Sequence, residues 1–124
     1  MSRILVVEDR EDVGQPLTRL LERHGHEVHL HESASVAWKA FQRDSLFTHI
    51  LSDNDCPGMD DGMAFLTRVI GLEHGLQHTP KLALMTGRLG EWYGKELLIH
   101  TCRRLSIQFF PKPMDFDELA EWAK

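Results

Sequence analysis

The stretch SDNDCPGMDDG, Ser52 to Gly62, carries four aspartates: Asp53, Asp55, Asp60 and Asp61. Carboxylates this close repel one another, so a positive charge must offset them. Three chemistries use such a cluster. It can be a calcium loop, it can hold the aspartate nucleophile of a phosphatase, or it can hold an aspartate that receives a phosphoryl group.

Complementary groups follow other apolar runs. Glu8 and Asp9 come after RILVV, Thr86 after KLALM, and Lys112-Pro113 after the run that begins at Ile107. Three carboxylates (Glu8, Asp9 and Asp53) can hold a hard divalent cation such as Mg2+ through oxygen ligands and retained waters. An aspartate is a competent nucleophile toward phosphorus. Phosphoryl transfer mostly needs positioning and neutralised charge at the equatorial oxygens, and Mg2+, the Lys112 ammonium and the Thr86 hydroxyl could each take one.

These groups meet only if the elements before them lie side by side. Arg3–Val7 reads as a strand buried on both faces. Val13, Leu17, Leu20 and Leu21 form a helical stripe, with Pro16 tolerable in its first turn and Gly25 placed to end it. Val28 and Leu30 alternate with His29 and His31 in a second strand, an edge strand because it ends away from the site in His31-Glu32. Ser33 can cap a helix with the stripe Val36, Ala37, Ala40, Phe41. Thr48–Leu51 is a third strand, and Leu66, Val69 and Ile70 mark a third helix. Lys81–Met85 is a fourth strand. Leu97, Leu98, Thr101, Cys102 and Leu105 give a fourth helix, Ile107–Phe110 a fifth strand, and Phe116, Leu119, Ala120 and Ala123 a last helix. Five strand-then-helix repeats imply an α/β protein with a parallel sheet covered on both faces. In such sheets, sites lie at the carboxyl ends of the strands.

The 124 residues suit one domain with its own core. Net charge is −5, which argues against direct nucleic-acid binding by this domain, since phosphate contact needs a basic face. No apolar run approaches the roughly 20 residues of a membrane span. The two cysteines, Cys56 and Cys102, form no disulfide framework, so a reduced, cytoplasmic setting is the simple reading.

With these residues in place, the sequence resembles a response-regulator receiver domain over essentially its whole length. The pieces that carry the resemblance are ILVVED (Ile4–Asp9), DNDCPGM (Asp53–Met59), ALMTG (Ala83–Gly87) and FFPKP (Phe109–Pro113), each after its own strand. The resemblance implies a (βα)5 fold with flavodoxin-like strand order 2-1-3-4-5, and a single receiver domain, 1–124, with no output domain within the chain. It implies Asp53 as phosphoacceptor. Mg2+ would be held by Glu8, Asp9, Asp53 and the Asp55 backbone carbonyl. Lys112 and Thr86 would bind the phosphoryl group, Thr86 and Phe109 would form the switch, and the Lys112–Pro113 peptide bond would be cis. The phosphoryl donor would be a histidine kinase or histidine phosphotransfer protein, and a downstream protein target would read the result.

Other readings stand beside this one. As an EF-hand loop, Asp53–Ala64 has Pro57 at position five and Ala64 where a bidentate Glu is needed, and a strand precedes it. Asp53-Asn-Asp55 resembles the D-x-D of haloacid-dehalogenase phosphatases, but its acidic pair comes first, as Glu8-Asp9. A phosphorylation-independent interaction module would keep the same residues. Asp60 and Asp61 suit helix capping. His29 and His31 share a strand face with Glu27, read as a solvated edge more readily than as a metal site. Gly87–Glu96 reads as a long loop and fails the P-loop spacing. Cys56 reads as a small packing residue. Against the family pattern, PGMDDG is one residue longer than P-G-M-x-G, Asp55 adds an acid that could alter phosphoryl loss, and Arg88 lies within reach of phosphate or faces solvent.

Overall fold

Ile4 to Val7 have no exposed surface, as in a strand covered on both faces. They lie in β1 (Arg3–Val7). In the computed structural model, residues 2–44, 46–54, 62–72, 79–87 and 92–124 are described. The order continues with α1 (Glu11–Arg23), β2 (Glu27–His31), α2 (Ala34–Arg43), β3 (His49–Asp53), α3 (Gly62–Gly71), β4 (Lys81–Thr86), α4 (Trp92–Arg104), β5 (Ile107–Pro111) and α5 (Phe116–Trp122). The five strands form one parallel sheet in the order β2-β1-β3-β4-β5.

Strand alternation divides the core. Leu5, Val7, Ile50, Leu82, Leu84 and Ile107 face one side, with Phe41 of α2, Phe65 of α3 and Cys102 of α4. Ile4, Val6, Leu51, Ala83, Met85 and Phe110 face the other, with Leu17 of α1 and Leu119 of α5. Register fixes the rim. Val7 lies opposite Ser52, Asp53 opposite Met85, and Thr86 opposite Pro111. The strands that carry Glu8, Asp53, Thr86 and Lys112 therefore end at one level.

Local signals explain three of the helix ends. The Ser33 hydroxyl accepts from the Val36 amide at 3.2 Å. The Asp115 carboxylate accepts from the Asp117 and Glu118 amides at 2.9 and 3.2 Å, so α5 starts at Phe116. Gly25 leaves α1 with φ +88°, a conformation that glycine adopts without penalty.

Four expectations are corrected. Pro16 lies past the first turn of α1, because the helix already begins at Glu11; it is exposed, where solvent can reach the carbonyl its missing N–H leaves unbonded. The residues Trp92–Glu96, read as loop, are the first turns of α4, so glycine content misled there: one Gly inside a helix costs only about 1 kcal/mol. Val36, Leu97 and Phe116 were assigned to buried stripes but are exposed, Leu97 at 69%. Each sits in the outer part of its helix's stripe, where the sheet does not reach. Thr48–Leu51 ends too early, since β3 runs on to Asp53 itself.

Candidate functional site

The Asp53 carboxylate, 3% exposed, ends β3 between β1 and β4. Glu8 follows β1 directly and is 2% exposed, its amide bonded to the His31 carbonyl at 3.0 Å. Asp9, next in the chain, is exposed. Carboxylate oxygens of Glu8, Asp9 and Asp53 all lie within 4.8 Å of one another. Among the described residues this is the one His/Cys/Asp/Glu group able to hold a metal ion.

Lys112 reaches the same point from the end of β5. Its amide donates to the Thr86 carbonyl at 3.0 Å, which ties the residue to β4. The Lys112–Pro113 bond is cis. The Lys112 Nζ donates to Glu8 Oε2 at 2.7 Å and lies 3.3 Å from Asp53 Oδ1. Burial pushes the Glu8 carboxyl above the usual range and the Asp53 charge adds to this, while Lys112 works against both. Burial lowers the Lys112 ammonium, but the bond to Glu8 and the charges of Asp53 and Glu8 outweigh it and hold its pKa above the ordinary lysine value.

Among the described residues, three ionised carboxylates against one ammonium leave two negative charges. A divalent, oxygen-seeking cation fits that balance and that donor set. Thr86, 3% exposed, ends β4. Strand alternation assigns it to the same face as Leu84, and Phe109 packs against that face from β5. Thr86 and Phe109 thus share the side of the sheet that α4 covers.

Gly62 is the residue that sequence reasoning missed. A Cβ there would lie 2.3 Å from the Asp53 carbonyl oxygen and 2.8 Å from Ser52 Oγ. Only glycine lets α3 begin so close to the acidic strand end. The available signal was its place, the last residue of the acidic loop. The calls on Asp55, Cys56, Asp60, Asp61, Arg88 and the extra residue of PGMDDG lie outside the described residues.

The histidine-rich stretch behaves as an edge. β2 borders the sheet, His29 Nε2 meets Glu27 Oε2 at 3.0 Å, and the His29 ring meets Phe47 edge-on. Cys102 is buried, and burial pushes its thiol up to about 11, so it packs as an apolar group. No helix among the described residues is long and apolar enough to cross a membrane.

The family model of the response regulator receiver domain matches residues 4–124. The chain belongs to the response-regulator receiver family. A receiver is the regulatory phosphoacceptor domain of two-component signalling. The receiver domain of the hybrid histidine kinase CckA is 28% identical, with 96% of this chain and 93% of that one covered at a TM-score of 0.71. A putative response regulator from Chloroflexus aurantiacus is 24% identical, with 97% and 92% covered at 0.78. A receiver domain protein from Clostridium thermocellum is 19% identical, with 99% and 91% covered at 0.79. The last two likenesses speak to the fold alone. A search of curated proteins finds no match. Receiver membership sets aside the phosphatase reading and, together with the strand that leads into Asp53, the calcium-loop reading.

Proposed function

We propose that Asp53 accepts a phosphoryl group from the phosphohistidine of a histidine kinase or histidine phosphotransfer protein. The observation that carries this is the Glu8, Asp9, Asp53 and Lys112 cluster at the carboxyl ends of β1, β3 and β5. An Asp53 oxygen attacks phosphorus. The O–P bond forms as the P–N bond breaks, and the electron pair leaves with the imidazole. Glu8, Asp9 and Asp53, with the Asp55 carbonyl, would hold Mg2+, which supplies positive charge to the phosphoryl oxygens.

Lys112 is already held between two carboxylates, so its ammonium needs only a short swing from Asp53 to the oxygens of the transferred group. Burial of Asp53 and Glu8 keeps bulk water from screening these charges. The new phosphoryl oxygens draw in the Thr86 hydroxyl. The space it leaves on the α4 face admits a shift of Phe109, which transmits the modification to α4 and β5. We further propose that 1–124 forms one receiver unit acting in the cytoplasm. Its output passes to a protein target rather than to nucleic acid or membrane, in keeping with its net charge of −5.

Intact mass after incubation with acetyl phosphate and Mg2+ tests the reading. One phosphoryl adduct is expected in the wild type, and none in Asp53→Asn or when Mg2+ is removed. If the wild type also stays unmodified by a phosphorylated histidine kinase, the chain is a phosphorylation-independent interaction module. An adduct that persists in Asp53→Asn would move the acceptor elsewhere.

A further inference from the structure

The opposite end of the sheet carries a cleft that phosphoryl chemistry does not use. It has a volume of about 780 Å3 and lies among the end of α3, the starts of β4 and β5, and the end of α4. That is within the size range of small-molecule sites. Half-buried Ile70 and Leu105 form apolar walls over Leu82 and Ile107, and half-buried Trp122 lines the cleft from the face of the sheet that α5 covers. Lys81 and Arg104 are the charged residues among its described lining, which contains no acid.

Both cations are exposed, and neither has an ion pair among the described residues. Arg104 gains something from the partial negative charge at the end of α4, but Lys81 at the start of β4 has no such role. The Lys81 charge also reaches inward, where after burial it is the next cause of the lowered pKa of His49. Trp122 is fixed from behind, its ring edge-on to His49 at 4.9 Å and to Phe110 at 6.0 Å. A rigid apolar wall beside two cations that have no ion pair among the described residues selects a ligand with an apolar body and an anionic head.

We propose that this cleft binds a small amphipathic carboxylate, an unbranched acyl chain of medium length whose carboxylate meets Lys81 and Arg104. The site is 1:1 and independent of Asp53 phosphorylation.

Two-dimensional NMR of the 15N-labelled chain, titrated with decanoate at monomeric concentrations, tests this. Saturable shifts are expected at Leu82, Leu105, Ile107 and the Trp122 indole. Acetate, which lacks the chain, and decyltrimethylammonium, which reverses the head charge, should produce none. The Lys81→Glu/Arg104→Glu double variant, altered only at exposed positions, should weaken decanoate about tenfold or more with amide dispersion elsewhere unchanged. Thr79→Trp, which places a ring in the cleft from an exposed rim position, should abolish binding. Absence of saturable shifts would overturn the proposal. So would an equal response to the ammonium, or full binding in both variants.

Discussion

At the carboxyl-terminal rim of the sheet, three carboxylates crowd one ammonium. At the amino-terminal rim, His49 is buried with both ring nitrogens engaged. Nε2 lies 3.1 Å from the Trp122 carbonyl and Nδ1 2.8 Å from Thr48 Oγ1. A carbonyl only accepts, so Nε2 carries the proton and Nδ1 accepts from the Thr48 hydroxyl. The Arg3 amide donates to Thr48 Oγ1 at 2.9 Å. Ser2 Oγ donates to the Ala123 carbonyl at 2.6 Å. Two carbonyls at the end of α5, which the helix itself cannot satisfy, are thereby bonded to side chains near β1 and β3.

Both rims bury titratable groups, but with opposite logic. At the lower, amino-terminal rim the His49 network is neutral and internally satisfied, and it joins Ser2 and the end of α5 to the sheet, while Lys81 and Arg104 stand outside it. At the upper, carboxyl-terminal rim the described residues keep an excess of negative charge that their own ion pairs do not offset. That excess is what makes a cation and a phosphoryl group welcome there, and stability is given up to retain it.

The largest expected effect breaks the upper rim. Lys112→Met leaves Glu8 and Asp53 without their ammonium and should cost about 3 kcal/mol at pH 7, read from urea midpoints. Mg2+ should restore part of the loss in proportion to its occupancy. Because the folded Glu8 pKa is raised, the penalty on its ionised form should fade as pH drops through that value. A variant insensitive to both Mg2+ and pH would mean that the two rims do not differ in this way.

Acid should break the lower rim. Burial, then the Lys81 charge, lowers His49 from an ordinary 6.5 to about 4. A lowered folded pKa means full stability above 6.5 and a progressive loss as pH falls from there to about 4. The loss attributable to His49 should reach about 3 kcal/mol. His49→Gln keeps a donor for the Trp122 carbonyl but cannot titrate, so its stability curve should be flatter over that window.

A smaller effect is expected at Gly62. Gly62→Ala forces a Cβ against the Asp53 carbonyl and should cost about 1–3 kcal/mol. It should also slow modification of Asp53 by acetyl phosphate, because the strand end must move. Equal phosphorylation rates would show that the acceptor tolerates the shift. The smallest effect is a gain. Ser106 holds φ +59° between α4 and β5, where an L-residue is strained, so Ser106→Gly should raise the melting point by the equivalent of about 0.5 kcal/mol.

The upper rim was far more legible than the lower one. Glu8, Asp53, Thr86 and Lys112 each lie at or next to the end of an apolar run, so placing the strands placed them. Local order of that kind survives in a linear reading because strand and helix periods differ and parallel strands must all point one way. The pairing of Lys112 with Glu8 was not legible, since it joins residues far apart in the chain and depends on side-chain reach. Neither was the His49 network, which is assembled from β1, β3 and the end of α5.

By itself, then, the sequence determined the alternation of strands and helices, the parallel sheet, and which chemical groups stand near its carboxyl rim. Periodicity and strand polarity suffice for that. Tertiary structure alone decided that Val36, Leu97 and Phe116 face solvent, that Gly62 must lack a side chain, and that Lys112 rests on Glu8 as well as facing Asp53. Those outcomes depend on how far the sheet extends beneath each helix and on distances between segments remote in sequence, which no local pattern encodes.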